Sequence, residues 1–258
     1  MNKISVTVIT KNCATSLSEC IKSVLWADEI IVVDQGSTDG TIEICSQLGA
    51  KVIQSEWLGF GLTKQLAVEA SRNSWVLSID SDEVCSPALQ SEIASLSDNM
   101  ETHSAFKIKR INYFLGVPIR YSGWQNDFPV RLFRKDMAGF NDKPVHEYVE
   151  AQGTVGTISA PILHHSFPTY SSFIQKTDTY SSLSAQISYE KGKKASLAGA
   201  LAKSIYKFVS IYIFRLGFLD GAEGLVLARS TAFSVYVKYI KINELYRLNS
   251  QLLSNAKK

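Results

Sequence analysis

The first hundred residues alternate short apolar runs, rich in Val and Ile, with segments that carry helix signals. Residues 29–33 form a β-branched run of the kind found in parallel strands that are buried on both faces. Strands and helices alternating at this spacing predict a right-handed, Rossmann-like α/β fold with a mostly parallel sheet flanked by helices. The predicted strands cover residues 4–10, 29–33, 51–54 and 75–79, and the predicted helices cover residues 16–25, 41–48, 62–71 and 87–96.

Three local signals set the predicted helix ends. Ser16 and Glu19 have the spacing of a capping box, which places a helix start at Ser16. Gly49 follows the second helix at the position where a left-handed residue ends many helices. Ser86 and Pro87 have the chemistry of an N-cap and a first helical residue, so they predict the start of the fourth helix.

Polar and acidic side chains follow these predicted strands. Thr10 ends the first, Asp34 ends the second, and Asp80 and Asp82 follow the fourth. Nucleotides bind outside the carboxyl ends of strands in such sheets. Because residues i and i+2 of a strand point the same way, Asp80 and Asp82 can aim at one hard divalent cation that bridges phosphates. The alternative is an acidic cluster, together with Glu83, at the N-terminus of a helix.

Composition limits the class of protein. The chain has 258 residues, 45% hydrophobic and 20% charged, which fits a folded protein of one large domain, with or without an appendage. The N-terminus runs straight into a strand without a secretory signal, so we expect a cytoplasmic location. The four cysteines show no metal-ligand spacing, and three of them, in or beside predicted helices or strands, are expected to be buried free thiols.

Charge is distributed unevenly along the chain. From residue 170 onward there are 13 Lys or Arg against 5 Asp or Glu, a net charge of +8, and the preceding part carries −5. An acidic catalytic half that recruits a metal and a basic tail that meets an anionic surface would produce this division. Nucleic acid is the competing anion, but no zinc finger, helix-turn-helix or aromatic-studded basic strand supports it, and we expect no nucleic-acid partner.

The pattern changes after residue 105. Short predicted strands at 105–109, 130–133 and 155–158 alternate with turns, which is typical of a mixed-sheet region that carries an acceptor site. From residue 170 the chain reads as helical, with breaks near Gly192 and at 217–221.

Three motifs resemble a known family. The segments IVVDQGSTDGT at 31–41, DSD at 80–82 and the later VRLFRKD and KPVHE resemble family 2 inverting glycosyltransferases with a GT-A fold. Within that family the chain resembles the small bacterial glucosyltransferases of lipopolysaccharide core synthesis, which add a sugar to the inner-core heptose. The resemblance implies a GT-A catalytic domain at 1–168, with a nucleotide-sugar half at about 1–100 and an acceptor half at about 101–168. Residues 169–258 would be a helical, basic extension.

The resemblance also implies a donor site. Asp34 would contact the uracil or ribose and Thr10 the nucleotide, although capping of the following turn and strand-end hydrogen bonding are the alternatives. Lys64 would reach the diphosphate, unless it is a solvated helix lysine. The family often has Asn at the position of Gln65 and a charged residue at the position of Cys13, so this chain departs from the family pattern at both positions.

A divalent metal, Mg²⁺ or Mn²⁺, is implied beside the donor, a nucleoside-diphosphate sugar expected to be UDP-glucose. Asp80 would contact ribose and metal, and Asp82 would ligate the metal. His146, in the V-H-E motif, would supply a further ligand or orient the diphosphate, but a structural histidine is the alternative.

An inverting transfer also needs a carboxylate to accept the proton of the acceptor hydroxyl. Asp127 occupies the place of the family's general base, and Glu147 is the second candidate. The alternative role for Asp127 is to form a turn ahead of the next strand.

The basic tail predicts an interaction with a membrane surface. Residues 197–219 are apolar but interrupted by Lys203, Lys207 and Arg215, whereas a spanning helix needs ~20 residues nearly free of charge. The pattern suits an amphipathic helix at an anionic interface, or a helix packed on the catalytic domain.

The expected function is therefore transfer of a sugar to a glycolipid, such as the lipopolysaccharide inner-core heptose, at the inner face of the bacterial inner membrane. The alternative is a nucleotidyltransferase or sugar-nucleotide-binding module. A nucleotidyltransferase would carry a glycine-rich loop after its first strand, and residues 10–13 contain no glycine.

Overall fold

The computed structural model describes residues 2–96, 100–142 and 147–255, in which eleven β-strands and seven α-helices form. The strands are β1 Ile4–Thr10, β2 Glu29–Asp34, β3 Lys51–Gln54, β4 Trp75–Asp80, β5 Glu83–Cys85, β6 Ala105–Phe114, β7 Val117–Pro118, β8 Val130–Arg134, β9 Ala138–Phe140, β10 Val149–Ala151 and β11 Val155–Phe167. The helices are α1 Ala14–Lys22, α2 Thr41–Gln47, α3 Phe60–Glu69, α4 Pro87–Ser95, α5 Tyr170–Glu190, α6 Leu197–Val209 and α7 Gly221–Asn255.

One mixed sheet has the strand order β3-β2-β1-β4-β8-β6-β11-β5, and β7 pairs with β6. The first four strands in this order are parallel, as the alternation of strands and helices predicts, and β8 joins β4 in the antiparallel direction. Every residue of β2 is buried, which explains its β-branched sequence. The predicted α/β class is confirmed.

The chain forms two compact units. The first contains Met1–Ile111 and Asn126–His165, and the second, here called the helical unit, contains Asn112–Gln125 and Ser166–Lys258. The segment at 112–125, which the sequence places within a 1–168 domain, therefore groups with the helices that follow. The breaks predicted near Gly192 and at 217–221 are present, between α5 and α6 and before α7.

Helix α1 begins earlier than predicted. It starts at Ala14 instead of Ser16, and its N-cap, Cys13, makes no capping hydrogen bond with its side chain. The Asp39 carboxylate accepts the Ala14 N–H at 3.2 Å, and the Thr41 hydroxyl accepts the Cys13 N–H at 3.0 Å. The predicted capping box is wrong because side chains distant in sequence satisfy the first N–H groups of this helix.

One buried carboxylate fastens the start of the parallel strands. Glu29 accepts hydrogen bonds from the Ser5 hydroxyl at 2.7 Å, the Arg72 N–H at 2.8 Å and the Arg72 Nε at 2.9 Å. Burial alone would raise the pKa of Glu29, but these hydrogen bonds and the charge of Arg72 outweigh it and lower the pKa. The ionised form of Glu29 therefore stabilises the amino-terminal ends of β1 and β2.

Candidate active site

The carboxyl ends of three parallel strands bring the predicted nucleotide residues together. Thr10 pairs with Asp34 in the register of β1 and β2, and Asp80 pairs with Ile9 in the register of β1 and β4. Thr10 is buried, and its hydroxyl has no hydrogen-bond partner among the described residues. Because a buried hydroxyl without a partner costs free energy, this position suits a ligand contact.

Asp34 organises the turn that follows β2. It is fully buried, and its Oδ2 accepts the N–H groups of Gly36 at 3.0 Å and Ser37 at 2.9 Å, while the Ser37 hydroxyl donates to Oδ1. Gly36 has a φ of +79°, a left-handed conformation that favours glycine. Asp34 therefore caps the turn, which is the alternative that the sequence left open, and its predicted nucleotide contact stays a prediction.

Asp80 is held between two cations. Its Oδ1 lies 2.8 Å from the Lys64 Nζ and its Oδ2 lies 2.6 Å from the Arg131 Nη2. Burial alone would raise the pKa of Asp80, but the charges of Arg131 and Lys64 hold the pKa well below its ordinary value. Both oxygens of this carboxylate are thus already paired.

Lys64 connects Asp80 to one of the two candidate bases. Its side chain is buried, so the solvated lysine considered from the sequence is not what the structure shows. The Nζ contacts the Glu147 Oε1 at 3.0 Å as well as Asp80, and it lies 5.6 Å from the centroid of the Phe140 ring. The structure therefore brings Lys64, Asp80 and Glu147 together.

Glu83 forms the centre of the remaining ion pairs. Its side chain is fully buried, and its Oε1 accepts from the Arg131 Nη2 at 2.6 Å and the Arg110 Nη1 at 3.0 Å. Its Oε2 accepts the backbone N–H of Asp80 at 2.9 Å. Arg110 in turn donates from Nε to the Asp127 Oδ2 at 2.7 Å, so the other candidate base lies at the far end of the same network.

Ion pairs of alternating charge therefore connect the two candidate bases. Although burial opposes it, Asp80 and Glu83 raise the pKa of Arg131, and Glu83 and Asp127 raise the pKa of Arg110. The sequence reasoning missed both arginines. It considered Glu83 only as part of an acidic cluster at a helix N-terminus, whereas Glu83 begins strand β5. The available signal was Arg131 within the apolar strand β8, since a buried arginine requires carboxylate partners.

Asp82 is more exposed to solvent than Asp80. Its side chain is 32% exposed, its Oδ2 lies 3.3 Å from the His164 Nε2, and its carbonyl accepts the His165 N–H at 2.9 Å. His164, which the sequence left without a function, is therefore its neighbour. His146 lies outside the described residues.

The donor atoms at this position fit a metal that is bound mainly by a diphosphate. Mg²⁺ in phosphate-transferring sites is commonly held by one or two carboxylates together with the phosphates of the substrate. Within the described parts of the chain, no cluster of three His, Cys, Asp or Glu side chains could hold a metal alone. Asp82 can supply one carboxylate, and the diphosphate would supply further oxygen ligands.

One cysteine lies beside the acidic motif. The Ser81 hydroxyl donates to the Cys13 Sγ at 3.4 Å, and the Cys13 thiol donates to the Lys11 carbonyl at 3.2 Å. Cys13 is half-buried, whereas the other three thiols are buried. Burial raises the pKa well above its ordinary value for Cys20, to about 11 for Cys45 and to about 12 for Cys85.

Comparison with known proteins defines the class. The model of glycosyl transferase family 2 matches residues 5–149. An uncharacterized glycosyltransferase of Rickettsia typhi is 33% identical over 257 residues, which cover 95% of this chain and 88% of that protein. The chain therefore belongs to glycosyltransferase family 2, and the predicted GT-A fold and enzyme class are confirmed.

Two further similar proteins are a lipopolysaccharide enzyme and a solved structure. The lipopolysaccharide core biosynthesis glycosyltransferase LpsC of Rhizobium meliloti is 27% identical over 92% of this chain and 93% of that protein. The crystal structure of S. aureus TarS is 21% identical, with a TM-score of 0.48, over 69% of this chain and 39% of that chain.

Proposed function

We propose that this glycosyltransferase is metal-dependent and inverting, and that it moves glucose from UDP-glucose to a glycolipid such as the inner-core heptose of lipopolysaccharide. The observation that carries the proposal is the position of Asp80 and Asp82 at the end of β4, beside Thr10 and Asp34. The match to LpsC over nearly its full length supports a lipopolysaccharide acceptor. No observation favours the nucleotidyltransferase alternative.

The donor is held by the residues at the strand ends. Thr10 has the hydroxyl available for the nucleotide, and Asp82 is the carboxylate that would hold the metal. A bound Mg²⁺ or Mn²⁺ would neutralise the charge that builds on the departing nucleoside diphosphate. Lys64 already carries a positive charge beside Asp80, so it can add to the stabilisation of that diphosphate.

In the transfer, the acceptor oxygen forms a bond to the anomeric carbon while the bond from that carbon to the diphosphate oxygen breaks. The acceptor hydroxyl loses its proton to a carboxylate, a contribution of about 10²–10⁴-fold to the rate. Asp127 is our first candidate for this base, because Arg110 orients its carboxylate at 2.7 Å and its side chain remains 28% exposed. Glu147, bound to Lys64 and 19% exposed, is the second.

The helical unit supports a peripheral membrane location. Leu197–Phe214 is long and apolar enough to cross a membrane, with a mean hydropathy of 1.3, and it is the one such segment in the parts of the chain described. A single helix of this kind is weak evidence for a span. On α6, however, Lys203 packs on α7, with its Nζ 2.7 Å from the Tyr239 hydroxyl, while Leu201 and Ile205 are 48% and 64% exposed. Exposed apolar side chains on a helix without acids fit an anionic interface.

The proposal is tested by donor screening and one substitution. Labelled UDP-, GDP- and dTDP-sugars are compared for binding and transfer with Mg²⁺, with Mn²⁺ and with a chelator. Asp82→Asn should abolish metal-dependent transfer and leave the thermal unfolding temperature unchanged, because it removes a charged ligand without changing volume. Asp136→Asn, an exposed acid paired with Arg134, is the matched control. Near-native metal-dependent activity of Asp82→Asn would contradict the assignment.

A further inference from the structure

The helical unit contains an apolar groove that glycosyl transfer does not explain. The groove has a volume of about 880 Å³, within the range of about 300–1,000 Å³ that is usual for small-molecule sites. Helices α6 and α7 form its walls. Leu201, Ile205 and Phe208 line one side, and Val226 and Phe233 line the other.

The walls remain open to solvent although they are apolar. Ile205 is 64% exposed and Phe233 is 55% exposed. Only 11% of the apolar segment Leu197–Phe214 is buried. Contiguous exposed apolar surface of this kind marks an interaction site in a folded protein. The groove therefore lacks the cover that an internal core helix would have.

Three hydroxyl groups that line the groove have hydrogen-bond partners. The Ser204 hydroxyl donates to the Ala232 carbonyl at 2.8 Å, and the Tyr170 and Ser230 hydroxyls share a hydrogen bond of 2.9 Å. Arg229 is the one charged side chain of the lining, it is exposed, and it has no hydrogen-bond or ion-pair partner within residues 2–96, 100–142 and 147–255. Among the described residues that line the groove, none is acidic.

We propose that this groove binds an acyl chain of an anionic membrane lipid, with Arg229 contacting the phosphate of the head group. An apolar wall with a single cation matches a molecule that has a long apolar chain and one anionic end. Burial of the chain would contribute through each methylene group, and the guanidinium would pair with phosphate oxygens. Lys203 of α6 is not required, because its ammonium group contacts Tyr239 of α7.

This proposal rests on the proposed membrane association and specifies how the protein would bind the membrane. Binding of an acyl chain differs from adsorption by surface charge in its dependence on salt. Screening shortens the range of charge interactions to about 3 Å at 1 M salt, whereas burial of an acyl chain persists. At high salt, only part of the wild-type protein should therefore remain bound to anionic vesicles. The fraction that remains bound should depend on the apolar walls of the groove.

The experiment measures binding of the full chain to vesicles of phosphatidylcholine alone and of phosphatidylcholine mixed equally with phosphatidylglycerol. Wild type should prefer the mixed vesicles and should remain partly bound in high salt. Arg229→Gln should weaken the preference about fivefold, which corresponds to about 1 kcal/mol for one basic residue at an anionic surface. The double variant Ile205→Glu with Phe233→Glu should lose binding to both vesicles, and a Ser pair at the same positions should lose most of it.

Matched controls lie on the same helical unit. Arg247→Gln removes an exposed arginine of α7 outside the groove, and Leu183→Glu places a charge on a 42% exposed leucine of α5. Both should bind vesicles as wild type does. If the groove variants match these controls, or if wild type binds neither vesicle, the proposal is overturned.

Two other occupants have distinct outcomes. Sedimentation velocity without lipid that shows a dimer in wild type and a monomer in Ile205→Glu would make the groove an interface between copies of this chain and overturn the lipid assignment. A groove that takes up an apolar peptide but no phospholipid would overturn it as well. Donor binding in solution is measured on the same variants and should be unchanged, so failure of the transfer proposal and failure of the lipid proposal are distinguished.

Discussion

Among substitutions that neutralise one charged side chain of the ion-pair network, Glu83→Gln should destabilise the protein most. The variant keeps the shape of the side chain and an acceptor for the Asp80 N–H, but it removes the charge that Arg110 and Arg131 share. Breaking a buried pair by removing one partner costs about 3–5 kcal/mol. We expect about 3 kcal/mol, the low end of that range, because Arg131 keeps Asp80 and Arg110 keeps Asp127.

Thermal unfolding followed by calorimetry measures this cost. At roughly 2–4 °C per kcal/mol for a protein of this size, the unfolding temperature should fall by about 6–12 °C. Glu101→Gln is the matched control, since Glu101 is 61% exposed and lies 3.6 Å from Arg134, a geometry worth about 0–1 kcal/mol. If both variants unfold within about 2 °C of wild type, the shared buried charge does not hold the network together and the reasoning is refuted.

Three further predictions concern the base, pH and thiol reactivity. In steady-state kinetics, Asp127→Asn should lower kcat strongly and leave donor affinity unchanged. If Glu147→Gln alone shows this effect, Glu147 and not Asp127 is the general base. Because its pKa in the folded state lies below the ordinary 4.5, Glu29 stabilises the protein fully above pH 4.5. Chemical unfolding should show that the difference between wild type and Glu29→Gln shrinks as pH falls through that lower pKa, and a constant difference would contradict it. Cys13 should be the thiol that a disulfide reagent labels in the folded protein, and donor with metal should slow the labelling because Ser81 of the acidic motif contacts its sulfur.

Local signals in the sequence were sufficient to predict the strands in the parallel half of the sheet. The strands predicted at 29–33 and 51–54 match β2 and β3 within one residue. β2 is buried along its whole length, which requires apolar and mostly β-branched residues, whereas β3 is the end strand of the sheet, with Lys51 and Gln54 exposed. The cap at Ser86 is present, since its hydroxyl accepts the Leu89 N–H at 3.2 Å and depends only on neighbours in the chain. The strands predicted at 105–109 and 155–158 extend to Phe114 and Phe167. The extensions were not predicted because most of the added residues are half-buried and do not alternate clearly between apolar and polar.

Part of the candidate site was predictable for the same reason. Thr10, Asp34 and Asp80 end three strands whose order in space follows from the alternation of strands and helices. Arg110 and Arg131 come from β6 and β8, and nothing local in their sequence indicates that β8 lies between β4 and β6. Their positions depend on the pairing of strands distant in sequence, so the partners of the acids could not be predicted with the acids themselves.

The solvent exposure of each carboxylate in the network indicates which role that carboxylate can have. Glu83 is fully buried, so solvent and substrate cannot reach it and its charge serves the two arginines. Asp80 and Asp127 are 27% and 28% exposed. Lys64 and Arg131 fix the orientation of Asp80, and Arg110 fixes that of Asp127. An acid that must meet a ligand needs this combination of a fixed orientation and an accessible edge. The buried charges therefore hold both accessible acids in position, and loss of Glu83 should affect donor and acceptor steps together, whereas Asp127→Asn should affect the acceptor step alone.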